Sequence, residues 1–183
     1  MTPEIKDGTT SKIDGPRNYY EIEPPRSKLS PRETEILHLL SKDLTNKQIA
    51  TRLDISDSTV KNHVTKILAV LDAQDHTQAV LKAINRGILN LDDLKSDFNL
   101  SLYDYITDRE KEILADLANH QNTPGNIAIA NRLNISTKTV NVHMLNISEK
   151  TGLSSRTQKA LFYLAYVKAG KVTESSTDQP ASA

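Results

Sequence analysis

Four polar side chains share one side of a stretch whose other side is apolar. At about 100° per residue, the apolar stripe is formed by Val60, Val64, Ile67 and Leu71. The face opposite the stripe, with its flank, carries Lys61, Asn62, Thr65 and Lys66. A lysine can reach guanine O6 and N7 or a phosphate, an asparagine matches adenine N6 and N7, and a threonine methyl fits thymine. These four residues are therefore predicted to read bases in the major groove, although lysines alone would indicate only a solvated face.

Polar residues at predicted helix starts are candidate phosphate contacts. Asn46 and Ser56 are the predicted N-terminal caps of two helices, and Lys47 and Thr59 lie in the first turns. Helix N-termini attract anions because their first amides have no partner within the helix. For His63, on the flank of the same face, packing and phosphate contact both stay open. The five histidines of the chain lack the spacing of metal ligands.

An internal repeat is the strongest signal in the sequence. RETEIL at 32–37 recurs as REKEIL at 109–114, 77 positions later, and IATRLDIS at 49–56 recurs as IANRLNIS at 129–136, 80 positions later. The change of spacing places a three-residue insertion in the loop around 121–125. Residues 29–89 and 106–170 are therefore predicted to be two domains of one fold.

The second block differs on the face that would read bases. The corresponding positions hold Asn141, Val142, Leu145 and Asn146. Its candidate phosphate contacts are Ser136, Lys138, Thr139 and His143. Fewer cations release fewer counterions, which predicts weaker or altered DNA reading. Val142 and Leu145 would touch thymine methyls, contact a protein, or be partly buried against the connector or the fourth helix.

Each block is predicted to contain four short helices, so the fold class is all-α. Ser30 with Glu33, and Thr107 with Glu110, have the spacing of capping boxes. In the second block, the pair at 123–124, Thr then Pro, predicts the start of the second helix. A second helix and a polar-faced third helix joined by a short turn form a helix-turn-helix.

The segments outside the two blocks differ from them in composition. Residues 90–105 are an acidic connector with four aspartates and one lysine, and leucines and Phe98 at near-helical spacing predict that it is in part an amphipathic helix. The N-terminal arm, 1–28, and the tail, 171–183, are predicted to be disordered. Tyr163 and Tyr166 are predicted to join the core or an interface between the blocks.

Composition excludes several functional classes. The chain has no cysteine, which removes disulfides, thiolate nucleophiles and Cys-ligated zinc. No glycine-rich phosphate loop, nucleophile elbow or carboxylate pair is present, so we predict no enzyme, no metal and no cofactor. The net charge is zero, with 23 basic and 23 acidic residues, which permits DNA binding without requiring it. Without a signal-peptide core or a long apolar run, a cytoplasmic, nucleoid-associated protein is expected.

The run LSPRETEILHLLSKDLTNKQIATRLDISDSTVKNHVTKIL, continuing to HTQAVLKAINRGIL, resembles the LuxR-type helix-turn-helix domain of bacterial transcription regulators. Block 106–170 is similar. The resemblance implies two tandem four-helix domains, each placing its third helix in the major groove. It implies base-reading roles for Lys61, Asn62 and Thr65, although many members have lysine where this chain has Thr65. It also implies dimerisation through the fourth helix.

These observations predict a sequence-specific, double-stranded-DNA-binding transcriptional regulator that uses the third helix of each repeat, chiefly the first. The repeats would pair within one chain or in a homodimer, and RNA polymerase is a candidate partner. The alternative is an adaptor that docks on RNA polymerase or another regulator through the same fold. The neutral net charge and the apolar face of the second block favour this alternative.

Overall fold

The computed structural model describes residues 28–95, 97–119, 121 and 125–170. These residues form helices, turns and loops without a strand, as the all-α prediction requires. The predicted disordered arm, apart from Lys28, and the predicted disordered tail lie outside the described residues. The second block's predicted Thr-Pro helix start, at 123–124, also lies outside them.

The first repeat folds into four helices. They are α1 (Pro31–Ser41), α2 (Asn46–Leu53), α3 (Asp57–Leu71) and α4 (His76–Asn85). The predicted capping box of α1 is present, since Ser30 N donates to Glu33 Oε2 at 2.7 Å and Glu33 N donates to Ser30 Oγ at 3.2 Å. Ser56 caps α3 as predicted, accepting from the Thr59 amide at 3.0 Å.

The cap of α2 corrects one prediction. Thr45, not Asn46, is the N-cap, and Asn46 is the first helical residue. The Thr45 amide donates to Gln48 Oε1 at 2.8 Å, and the Gln48 amide donates to the Thr45 hydroxyl at 3.3 Å. This reciprocal pair requires a cap residue three positions before Gln48, which Asn46 is not.

The connector contains a short helix α5 (Asp92–Lys95) and a 3-10 helix (Leu100–Tyr105). Leu91 and Leu94 are buried in the core of the first repeat, whereas Tyr103 is buried in the core of the second. The connector is therefore helical in two short parts, and its apolar residues pack into two different cores. Lys168 ties the connector to the last helix by an ion pair with Asp92 at 2.9 Å.

The second repeat has the same four-helix plan. Its helices are α6 (Asp108–Ala118), α7 (Asn126–Arg132), α8 (Thr137–Thr151) and α9 (Arg156–Lys168). One bond recurs in both repeats: an α1 arginine, Arg32, donates to the Leu53 carbonyl at 2.9 Å, and Arg109 of α6 donates to the Leu133 carbonyl at 3.0 Å. Each bond ties the first helix of a repeat to the end of its second helix.

The two repeats meet through their fourth helices, α4 and α9. The hydroxyls of Thr77 and Thr157, which are equivalent positions 80 residues apart, lie 3.0 Å from each other in a buried contact. Leu161 of α9 belongs to the core of the first repeat, and Leu81 of α4 belongs to the core of the second. The repeats thus exchange one leucine each.

Aromatic side chains extend this seam towards the connector. Tyr103 stacks on Tyr166 with ring centroids 3.6 Å apart, and Phe98 meets Phe162 edge-on at 6.2 Å. Burial raises the pKa of the Tyr103 hydroxyl, and the neighbouring Tyr163 and Tyr166 raise it further. Tyr166 is buried as predicted, while Tyr163 is only partly buried against the second core.

Candidate nucleic-acid interface

Helix α3 has one buried side and one exposed side. The stripe predicted from the sequence is buried, with Val60 and Ile67 wholly inaccessible. The four candidate base-reading residues are all exposed: Lys61, Asn62, Thr65 and Lys66. The four side chains that the sequence pattern placed on one face of α3 therefore lie together on its exposed surface.

Two of these four side chains are engaged within the helix. Lys61 Nζ lies 2.6 Å from Asp57 Oδ2, an (i, i+4) pair in the favourable order. The Thr65 hydroxyl donates to the Lys61 carbonyl at 3.0 Å, so its proton is engaged while its oxygen can still accept. Asn62 and Lys66 have no hydrogen bond or ion pair with the described part of the chain. Asn62 and Lys66 are thus the α3 groups most available to an external acceptor or donor.

The N-terminal turn of α3 is polar and accessible. The Ser56 hydroxyl lies 2.7 Å from those of Ser58 and Thr59. The Asp57 carboxylate lies in the same turn. It would repel a phosphate there, although Lys61 partly neutralises the carboxylate charge. In the second repeat this position is Thr137, so the N-terminus of α8 lacks that carboxylate.

Candidate phosphate contacts of the first repeat adjoin its candidate base-reading face. Asn46 and Lys47, at the start of α2, line one groove together with Lys61 and His76. Two acids, Asp43 and Asp57, line the same groove, which reduces its positive potential. Lys47 is exposed, whereas Asn46 and Thr59 are partly buried.

The two flanking histidines can offer one ring nitrogen only. The Nδ1 atoms of His63 and His143 are buried and have no hydrogen-bond partner within the described residues. His63 Nδ1 is 4.0 Å from Glu33 Oε1, which is too long for a hydrogen bond. A phosphate contact would therefore have to use Nε2.

Helix α8 presents a different surface. Val142 is 47% exposed and Leu145 is 64% exposed, so both side chains are accessible and only partly covered. Leu145 lines a groove together with Arg156 and Lys159 of the fourth helix, α9. Asn141 Oδ1 accepts from Asn126 Nδ2 at 2.6 Å, which ties Asn141 to α7. Asn146 is partly buried. The candidate base-reading face of the second repeat is thus largely aliphatic.

The other candidate residues of the second repeat lie at the start of α8. Ser136 is the N-cap and accepts from the Thr139 amide at 3.0 Å. Lys138 is exposed, and Thr139 is partly buried. These residues occupy the same places as their counterparts in the first repeat.

A buried carboxylate anchors α8 against α6. Glu110 is 1% exposed and accepts from Lys150 Nζ at 2.6 Å and from the Thr107 amide at 2.8 Å. Burial raises the pKa of Glu110, but the bonds from Lys150 and Thr107 outweigh it and hold that pKa below its ordinary value. Lys150 and Glu110 thereby fix the third helix on its scaffold.

Three features of this interface were missed in the sequence. The Asp57–Lys61 pair was visible as an (i, i+4) spacing. Ile127 on α7 is 68% exposed. Its neighbour Asn126 ties α7 to α8 by its hydrogen bond to Asn141. Neither α7 feature has a local sequence signal, because both depend on how α7 crosses α8.

Two other features are absent from the part of the chain that the structure describes. Among them, no three His, Cys, Asp or Glu side chains are grouped to hold a metal ion. None of the described helices is both long and apolar enough to cross a bilayer.

Comparison with known families decides what kind of domain this is. The model of the family "Bacterial regulatory proteins, luxR family" matches residues 27–83 and again residues 104–163. This chain belongs to the LuxR family. The resemblance predicted from the sequence is confirmed, and the family is one of DNA-binding transcriptional regulators.

Individual LuxR-family relatives are similar to a part of the chain. The transcriptional regulatory protein LiaR of Bacillus subtilis is 44% identical over 66 residues, which is 36% of this chain and 31% of LiaR. The DNA-binding transcriptional activator DevR/DosR of Mycobacterium tuberculosis is 45% identical over 67 residues, covering 37% and 31%. The response regulator protein VraR of Staphylococcus aureus is 44% identical over 87 residues, covering 48% and 39%. The chain thus spans about a third of the length of these relatives. No solved structure matches it.

Proposed function

We propose that the chain is a sequence-specific, double-stranded-DNA-binding transcriptional regulator with two tandem domains. Helix α3 enters the major groove and is the principal reader, and α8 contributes less. The observation that carries this proposal is the pair Asn62 and Lys66, exposed on α3 and unengaged with the described residues. Membership of the LuxR family supports it.

Each α3 side chain has a distinct role in this proposal. Asn62 pairs with adenine, Lys66 reaches guanine or a phosphate, and the Thr65 methyl packs on thymine. Lys61 must leave or share Asp57, which lies at 2.6 Å, before it can bind a base. Ser56, Lys47 and the α2 and α3 N-termini hold the backbone.

The test is selection from a random duplex library, followed by affinity measurements on the selected site. Asn62→Ala should lose about 1–3 kcal/mol of binding free energy and relax base preference at one position. Lys66→Ala should relax base preference at one guanine where Lys66 reads a base. Where Lys66 holds a phosphate, the same variant should weaken all duplexes alike and lower the salt slope by about 1. Lys168→Ala is the matched control, because Lys168 lies at the end of α9, paired with Asp92, and its loss removes the same charge. Unchanged affinity in both α3 variants would defeat the proposal.

An adaptor that docks on RNA polymerase or another regulator is the second candidate. The exposed aliphatic residues Val142 and Leu145 of α8 favour it, since exposed apolar patches mark contact surfaces. Capture of purified polymerase by the wild-type chain but not by Leu145→Asp, with absent or salt-insensitive DNA binding, would support it.

A further inference from the structure

The seam between the repeats has the character of a two-fold interface. Thr77 meets its own equivalent, Thr157, at 3.0 Å. Leu81 and Leu161, again equivalent positions, enter each other's cores. When a position contacts its own counterpart and the exchange is reciprocal, the two surfaces are related by a two-fold axis. The chain is therefore folded as a dimer of its own repeats.

The same relation extends to the helices that face DNA. Helix α4 packs on α1 and α3 of its own repeat, and α9 packs on α6, which holds α8 through the Glu110–Lys150 pair. The third helices are thus carried by the scaffolds that meet at the seam. A two-fold protein matches half-sites of inverted orientation, with centres about one helical turn or ~10 base pairs apart.

The two third helices do not carry the same chemistry. Helix α3 offers the free amide of Asn62 and the ammonium of Lys66, whereas α8 offers Val142 and Leu145 at the positions of Asn62 and Thr65. Asn141 is held by Asn126. Aliphatic side chains in the major groove distinguish bases chiefly by the thymine methyl. One half-site is thereby specified by hydrogen bonds and the other by methyl contacts.

We propose that a single chain binds an inverted but non-palindromic operator. One half carries adenine and guanine edges under α3, and the other carries thymines whose methyl groups pack on Val142 and Leu145. This inference rests on the proposed function, because it presumes that both third helices enter DNA. It adds to that function that one chain binds one operator and that the two half-sites of the operator differ.

Selection from a random duplex library with the wild-type chain should give two unlike half-sites at fixed spacing, and native mass measurement should find one chain per duplex. Replacing thymine by deoxyuridine removes only the methyl group. In the α8 half this should weaken binding about fourfold per contacted methyl. The same replacement in bases flanking the site should leave affinity unchanged.

A transplant of the α3 face tests the asymmetry directly. The quadruple variant Asn141→Lys, Val142→Asn, Leu145→Thr and Asn146→Lys changes only the α8 face and should convert the selected site into a palindrome. The double variant Asn141→Lys with Asn146→Lys is the matched control. It adds the same charge, so it should tighten binding while keeping the thymine-rich half.

The possible failures are distinguishable. A palindromic wild-type site bound by two chains, or full affinity after deoxyuridine replacement, would overturn the inference and leave α3 as a DNA reader. The latter result combined with polymerase capture through Leu145 would assign α8 to a protein. No enriched sequence at all would defeat the proposed function itself.

Discussion

Leu161 is a residue of the second repeat, but replacing it by alanine should destabilise the first repeat. Leu161 lies on α9 but is wholly buried in the core of the first repeat. Removing three carbons forfeits about 2.4 kcal/mol at about 0.8 kcal/mol per methylene. The cavity left behind raises the loss towards the ~2–5 kcal/mol found for buried leucines. We expect the first repeat to lose about 3 kcal/mol of unfolding free energy.

Native-state hydrogen exchange measures this loss amide by amide. Amides of α3 should exchange about 100-fold faster in the variant, since each 1.4 kcal/mol is a factor of ten. Val167→Ala is the matched control, because Val167 lies on the same helix and is 39% exposed. It should change the unfolding free energy by less than about 1 kcal/mol.

The reciprocal variant makes the reasoning refutable. Leu81 of α4 is 3% exposed and belongs to the second core, so Leu81→Ala should accelerate exchange in α8 by a similar factor. The reasoning would be refuted if each substitution affected only the repeat that contains it, or lowered the unfolding free energy by less than about 1 kcal/mol. The leucine that each repeat places in the core of the other would then contribute nothing to stability.

Two further predictions concern the second repeat. The pKa of Glu110 is held below its ordinary value, so the stability this group contributes is present above its unfolded pKa of about 4.3 and is lost as pH falls through the folded pKa. Lys150→Met should flatten that loss in urea unfolding between about pH 3 and 6, and an unchanged pH profile would contradict it. Gly152 ends α8 at φ +73°, so Gly152→Ala should cost about 1 kcal/mol, whereas Gly152→Asn should cost less because Asn tolerates this conformation. Thermal unfolding checks both variants. Equal losses of stability would show that the left-handed conformation at position 152 is not the cause.

Local features of the fold were predictable because their causes are local. The capping boxes at Ser30 and Thr107 each need only a residue three positions on, and both are present. The cap of α2 was predictable as well, since Thr45 and Gln48 have the same spacing. The prediction of Asn46 was wrong because asparagine is also a favoured cap residue, and it stands next to Thr45. The exposed face of α3 followed from periodicity, because Val60 and its stripe fix the buried side.

The sequence predicted that the repeats pair, within one chain or in a homodimer, and the resemblance implied the fourth helix. The individual contacts of the seam and of the connector were not predictable, because they join distant residues. Thr77 and Thr157 were recognisable as equivalents, but nothing local indicates that equivalents touch. Leu81 has the pattern of an ordinary core leucine of its own repeat. The connector's apolar spacing predicted that it is in part an amphipathic helix, but not that Leu94 packs in the first core and Tyr103 in the second.

Under the proposed function, covalent linkage of the repeats explains how the third helix of the second repeat differs from that of the first. In a homodimer both third helices carry one sequence, so a change that weakens one half weakens both. In a tandem chain α8 can replace Asn62 and Thr65 by Val142 and Leu145 while α3 stays intact. In the proposed mode of binding, the seam carries α8 to the duplex together with α3, so the second contact is intramolecular. In the proposed mode of binding, a second helix with weak methyl contacts then suffices, because the buried seam at Thr77 and Leu161 fixes its orientation.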